Sequence, residues 1–208
     1  MIKIALTQLR PVADKDVSLR NVEYYAGIAA SNSADLIVFP EYYMFYSQYK
    51  EVIAKNSEPL NGNYVKKLRE ISQVNKIGII TGINELYDHN YYDTAVFINN
   101  GELVNYYRKS HLYDAFGYKE SDIYTIGNGP FKISKIGNIN FGMLICYDIR
   151  FPEVFRIHTY IYYIFLLCCS APYCTYGIGK RCYPGKSTAY HIRRGKVYCI
   201  LQCTCGYK

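Results

Sequence analysis

Leu36-Ile-Val-Phe39 is a run of four apolar residues, entered through Asp35 and closed by Pro40-Glu41. An unbroken run of this kind suits a strand covered on both faces rather than one with a wet side. Proline stops it, and a carboxylate, Glu41, is left at its C-terminal end. Upstream, Ile2, Ile4 and Leu6 alternate with Lys3, Ala5 and Thr7, which reads as a strand over residues 2–9 ended by Pro11. Between the two strands, Leu19, Val22, Ala26 and Ala29 fall on one face of a helix over about residues 17–31, with Asp16 placed to cap it. Downstream, Val65, Leu68, Ile71 and Val74 mark a second amphipathic helix, and residues 77–83 a third strand.

Two hairpins follow. Residues 92–99 and 102–107 flank Asn100-Gly101, and residues 131–134 and 139–145 are joined through Gly137-Asn138. Strands alternating with helices and then pairing antiparallel predict a layered α/β fold rather than a bundle or a barrel.

In a layered sheet, polar side chains converge on a ligand at strand C-termini. Three features fit that geometry. Phe39-Pro-Glu41 places a carboxylate past a buried strand. Tyr106-Tyr-Arg-Lys109-Ser-His-Leu places a lysine past a hairpin strand. Gly142-Met-Leu-Ile-Cys146-Tyr-Asp-Ile-Arg-Phe-Pro-Glu153 places a cysteine where a strand turns sharply into a predicted helix.

Each has an ordinary reading: a buried small apolar residue, a solvated carboxylate, a charged rim. Together they suit amide hydrolysis through a thioester. A thiol with a pKa near 8.5 needs a neighbouring base or cation to become a good nucleophile at neutral pH. Glu41 suits the base. Lys109 suits the cation that favours the thiolate and stabilises an oxyanion. The backbone N–H of Tyr147, at the start of the next turn, is placed as a second oxyanion donor.

These contexts, with the opening Ile-Ala-Leu-Thr-Gln8 strand and Asp35-Leu-Ile-Val-Phe-Pro-Glu41, make residues 1–156 resemble the nitrilase superfamily of carbon–nitrogen hydrolases. The resemblance implies Glu41 as general base, Lys109 as stabilising cation and Cys146 as nucleophile. It also implies a second glutamate after the lysine; Tyr118-Lys-Glu120-Ser-Asp matches that segment, so Glu120 is the candidate for orienting the lysine and the substrate amine. The implied fold is a four-layer αββα sandwich that pairs into a homodimer, with no metal or organic cofactor. Arg108-Lys-Ser-His-Leu-Tyr-Asp114 and the Cys146–Glu153 signature are most similar to the Nit-type, omega-amidase-like branch, whose members hydrolyse the terminal amide of dicarboxylic acid monoamides. A small-molecule amide is therefore the expected substrate.

The 208-residue chain is 50% hydrophobic and 20% charged, with 25 Tyr and 9 Phe, which excludes a disordered or collagen-like chain. The longest apolar stretch, residues 160–169, is about half of a membrane span of roughly 20 residues. Met1-Ile-Lys-Ile runs directly into the first strand without a charged-then-apolar leader, so a cytoplasmic location is expected, with no membrane partner.

The net charge of +7 is unevenly placed. Residues 1–153 hold 16 basic and 17 acidic residues, whereas residues 154–208 hold 8 basic and none acidic. A charge confined to one segment does not argue for nucleic acid over the whole fold. Seven of the eight cysteines also lie in this last quarter. Cys199, Cys203 and Cys205 with His191 come nearest to a metal set but lack zinc-type spacing.

The resemblance fades after Arg156, where charge, cysteine content and motifs change together. Local and global signals agree in a sequence selected to fold, so residues 157–208 are expected to be a divergent, frameshifted Cys-rich basic tail, leaving the sandwich incomplete at the C-terminus. The competing expectation is a genuine terminal region, which makes the chain a catalytically inactive truncated homologue or a basic interaction module.

Overall fold

The structure, a computed structural model, describes residues 2–129, 131–151, 153–154, 163–169, 188–192 and 198–203. The first strand, β1, spans Ile2–Leu6 and is shorter than its alternation suggests. Helix α1 spans Lys15–Ser31. Its cap is Asp14 rather than Asp16: the Asp14 carboxylate accepts from the backbone N–H groups of Asp16 (2.8 Å) and Val17 (2.9 Å). Asp16 instead lies in the first turn, where the helix dipole favours a negative charge.

β2 (Leu36–Val38) is followed by α2 (Lys50–Asn56) and α3 (Asn63–Asn75). Periodicity does not announce α2 because seven residues bury only Ile53. β3 (Gly78–Tyr87) and β4 (Asn90–Asn99) form a hairpin whose turn residues, Asp88 and His89, both adopt positive φ. β4 passes to β5 (Glu102–Arg108) through Asn100-Gly101, with φ of 51° and 78°, as the turn chemistry requires.

Two short strands follow, β6 (Asp114–Ala115) and β7 (Tyr118–Lys119). β8 (Ser134–Ile136) turns through Gly137 into β9 (Ile139–Ile145), so the second hairpin starts later than the sequence suggests. β10 (Tyr163–Cys169), β11 (Thr188–Ile192) and β12 (Tyr198–Cys203) come from the cysteine-rich segment.

Among the described residues, one sheet has the order β11-β1-β2-β3-β4-β5 and a second the order β12-β10-β9-β8. β1, β2 and β3 run parallel, and β3, β4 and β5 antiparallel. Leu36 and Val38 point into the core between the sheets, with Ile80, Phe97, Phe141, Met143 and Ile145. Ile37 and Phe39 point the other way, to Val22, Ala26, Val65 and Leu68 of the helices. The apolar run of β2 is thus covered on both faces, as its composition demands. Helix, sheet and sheet are three consecutive layers of an αββα sandwich. No helix among the described residues is long and apolar enough to cross a membrane.

Candidate active site

Glu41 sits where β2 peels away from β3. Phe39 still donates to Ile80 O at 2.8 Å, but Pro40 has no N–H to continue the ladder. The turn then presses back onto β3: Gly82 N donates to Pro40 O (3.2 Å), and Met44 N donates to Gly82 O (3.0 Å). A Cβ on Gly82 would lie 2.6 Å from Tyr42 N and 2.9 Å from Glu41 Cα, so only glycine allows this approach. Tyr42 reverses the chain with a φ of 55°.

Lys109 is the first residue past β5, its N–H donating to Asp93 O of β4 at 2.9 Å. Its side chain is fully buried, and its ammonium donates to Glu41 Oε1 at 2.7 Å. The same nitrogen lies 2.8 Å from Glu120 Oε2 and 2.9 Å from Glu120 Oε1. Glu120 opens a 3-10 turn, Glu120–Asp122, just past β7. It is 4% exposed, so this loop carboxylate is buried rather than solvated. Tyr113 N (2.8 Å) and Tyr42 Oη (3.0 Å) donate to its two oxygens.

Cys146 follows β9 directly and opens a second 3-10 turn, Cys146–Arg150, in place of the expected helix. Its φ of 44° is left-handed, a conformation that non-glycine residues hold only when surroundings enforce it. The thiol is partly exposed and close enough to Lys109 for their charges to interact. Tyr147 is the second residue of this turn, and its ring meets Tyr113 edge-on at 5.2 Å. The four side chains singled out in the sequence, Glu41, Lys109, Glu120 and Cys146, therefore share one neighbourhood.

Sequence reasoning misses Asp93. This β4 carboxyl is buried, with Lys109 Nζ 3.5 Å from Oδ2, too long for a good hydrogen bond. Neither carboxyl oxygen makes a well-aligned hydrogen bond among the described residues, although Glu41 lies near enough to hydrogen-bond with it when one of the two is protonated. Burial, with repulsion from Glu41, pushes its pKa well above the usual carboxylate range despite Lys109. Burial likewise raises Glu120, against the pull of Lys109. Burial alone would discharge Lys109, but Glu41 and Asp93 outweigh it and hold its pKa well above that of an ordinary lysine. The lysine thus keeps its charge in a buried setting, where that charge is worth more than in water.

The carboxylate cluster is thus occupied by an ammonium. Among the described residues no group of three or more His, Cys, Asp or Glu side chains is arranged to hold a metal. Cys205 lies outside the described residues, and the side chains of His191, Cys199 and Cys203 are likewise undescribed.

Two sheets under a helical layer, with charged and thiol groups at three strand ends, define the class. The chain belongs to the carbon-nitrogen hydrolase family, whose model matches residues 3–166. It is 34% identical over 169 residues to nitrilase homolog 2 of Dictyostelium discoideum, covering 76% of this chain and 51% of that one. It is 30% identical over 140 residues to the deaminated glutathione amidase of Escherichia coli O157:H7, covering 65% and 53%. The chain spans about half the length of these curated relatives.

Among solved structures, a nitrilase-superfamily amidase from Nesterenkonia AN1 superposes with a TM-score of 0.74 at 22% identity, covering 84% of this chain and 68% of that one. Another structure of that amidase, with the same TM-score and identity, covers 84% of this chain and 69% of that one. It shows acrylamide added at that protein's active-site cysteine. At this identity the likeness establishes the fold, the nitrilase-superfamily sandwich.

Proposed function

We propose that the chain hydrolyses the amide of a small linear substrate, such as the omega-amide of a dicarboxylate, through a Cys146 thioester. The observation that carries this reading is the buried Lys109 ammonium, 2.7 Å from Glu41 and electrostatically coupled to Cys146. Glu41 takes the thiol proton as the sulfur adds to the amide carbon. Lys109 and the Tyr147 N–H stabilise the oxyanion. The intermediate collapses, the C–N bond breaks, and Glu41 returns its proton to the departing ammonia. Water, deprotonated by Glu41, then cleaves the thioester to release the acid and regenerate the thiol.

Glu120 holds the lysine and orients the substrate amine. The amidases among the relatives support the reaction class. Residues 1–156 are the part that carries it, residues 157–208 being a divergent tail, and the working unit is a cytoplasmic homodimer.

Purified protein should release ammonia from a monoamide of a small dicarboxylic acid. Cys146→Ala should reduce that release to background, and Lys109→Ala should lower it by at least about 100-fold, since an oxyanion donor alone is worth that much. Ammonia release that persists in Cys146→Ala would overturn the mechanism.

A further inference from the structure

The two segments that carry Lys109 and Cys146 belong to different sheets, yet one buried side chain is bonded to both. Asp148, two residues after Cys146, is fully buried. Its Oδ2 accepts from Ile145 N (3.0 Å), the residue before the cysteine, and from Tyr107 Oη (2.8 Å), two residues before the lysine. Its Oδ1 accepts from His111 N at 3.0 Å, two residues after the lysine, and lies 2.7 Å from His111 Nδ1. Ser110 N donates to the same Tyr107 oxygen at 3.2 Å. The His111 ring stacks on Phe151 with centroids 3.7 Å apart and planes 11° from parallel. One carboxylate therefore brackets Lys109 from both sides and grips the residue preceding Cys146.

A carboxylate needed only to cap the turn after β9 would be satisfied by the N–H groups of that turn. Here three of the four contacts come from β5 of the other sheet and the loop that follows it. Successive Cα atoms are about 3.8 Å apart, so fixing residues within two positions of each group leaves little slack between them.

We propose that Asp148 is a positioning residue, setting the separation of the Cys146 sulfur and the Lys109 ammonium through Tyr107 and His111. The inference rests on the amidase reading above. It adds that the lysine reaches the thiol only while this clasp is closed. Among the described residues, the charged and titratable groups around the pair are Glu41, Tyr42, Asp93 and Glu120 next to the ammonium and Tyr107, His111 and Asp148 in the clasp.

The test uses Tyr107→Phe and His111→Ala, each of which removes one side-chain contact to the Asp148 carboxylate and leaves that carboxylate in place, with Asp148→Asn as the stronger change. Two quantities are measured on the full chain: kcat and KM for amide hydrolysis, and the pH midpoint of Cys146 alkylation by iodoacetamide, read on the Cys146 peptide by mass spectrometry. Tyr107→Phe and His111→Ala should each lower kcat about 10-fold with KM within about twofold, and Asp148→Asn about 100-fold, the loss expected for a displacement near 1 Å. The alkylation midpoint should rise by roughly half a pH unit in each, because a cation held farther away favours the thiolate less.

Variants that unfold at lower temperature yet keep wild-type kcat and midpoint at 25 °C would overturn the positioning role. Should Asp148→Asn fail to fold, Tyr107→Phe decides the question. A wild-type chain that releases no ammonia from amides would overturn the hydrolase reading instead, and the alkylation midpoints would still decide the role of Asp148.

Discussion

Around Lys109 Nζ, three carboxyl groups face one ammonium, and full ionisation would leave two buried negative charges uncompensated. Glu41 and Glu120 hold the short contacts, so ionisation is most disfavoured at Asp93, which keeps only the 3.5 Å contact to the ammonium. Its folded-state pKa is raised, so above the ordinary Asp value of about 3.9 the folded chain keeps a proton that the unfolded chain has released. Stability therefore falls as pH rises through that window and levels off once the folded group has ionised. Asp93→Asn removes this dependence while keeping the shape. Urea midpoints of the variant should fall less steeply than wild type between pH 5 and pH 8, the two curves diverging as pH rises; parallel curves would refute a raised pKa at Asp93. Glu41 and Cys146 were legible because each ends an apolar run at a strand end, and Lys109 because it follows a hairpin strand. Asp93 was not, because it falls inside the strand read over residues 92–99 and reads as one of its solvent-facing positions. The groups that bury it come from Glu41, Tyr42 and Glu120, far away in sequence, and no local pattern carries such information.

At the scale of the element, the site depends on how closely one turn can lie on one strand. The backbone at Glu41 and Tyr42 rests where the side chain of residue 82 would be. Gly82→Ala must push that turn off β3. The expected cost is about 1–3 kcal/mol of stability, in the range of other overpacked sites. Ammonia release should fall further than stability alone explains, because Glu41 moves with the turn; a variant with a lowered urea midpoint but unchanged turnover at 25 °C would show that Glu41 keeps its place. Long elements with strong periodicity, α1 and α3, were legible in the sequence, as was the turn at Asn100-Gly101. The short α2 was not, nor the Asp88-His89 turn, where neither residue is a glycine and positive φ is imposed by the strands it joins. Likewise, Asp16 resembles a cap as closely as Asp14 does, and only the course of the preceding chain distinguishes them.

Across the whole molecule, the two sheets meet through interlocked aromatic and aliphatic side chains, with Phe97 and Phe141 packed edge-to-face at 5.0 Å. Phe97→Ala should cost about 3–5 kcal/mol in urea unfolding, and a cost below about 1 kcal/mol would mean that the sheets do not rely on this contact. The helix–sheet–sheet order could be anticipated from the alternation of patterns, because β2 needs cover on both faces. The strands β10 and β11 were not anticipated, since their segment holds no acidic residue and its cysteine-rich composition departs from that of the preceding strands.

The site also has an order of assembly in time. The Glu41–Lys109 bond joins residues 68 apart, the Tyr42–Glu120 bond residues 78 apart, and the Tyr107–Asp148 bond residues 41 apart. The β3–β4 hairpin, by contrast, closes across only Asp88 and His89. Distant pairings must meet the entropy of closing long loops before they contribute any stability, so they form late. During refolding from urea, far-UV ellipticity should return before the enhanced alkylation rate of Cys146, and a single shared rate would argue against this sequence of events. For much of its folding time, then, the chain holds native strands alongside a thiol that its lysine has yet to reach.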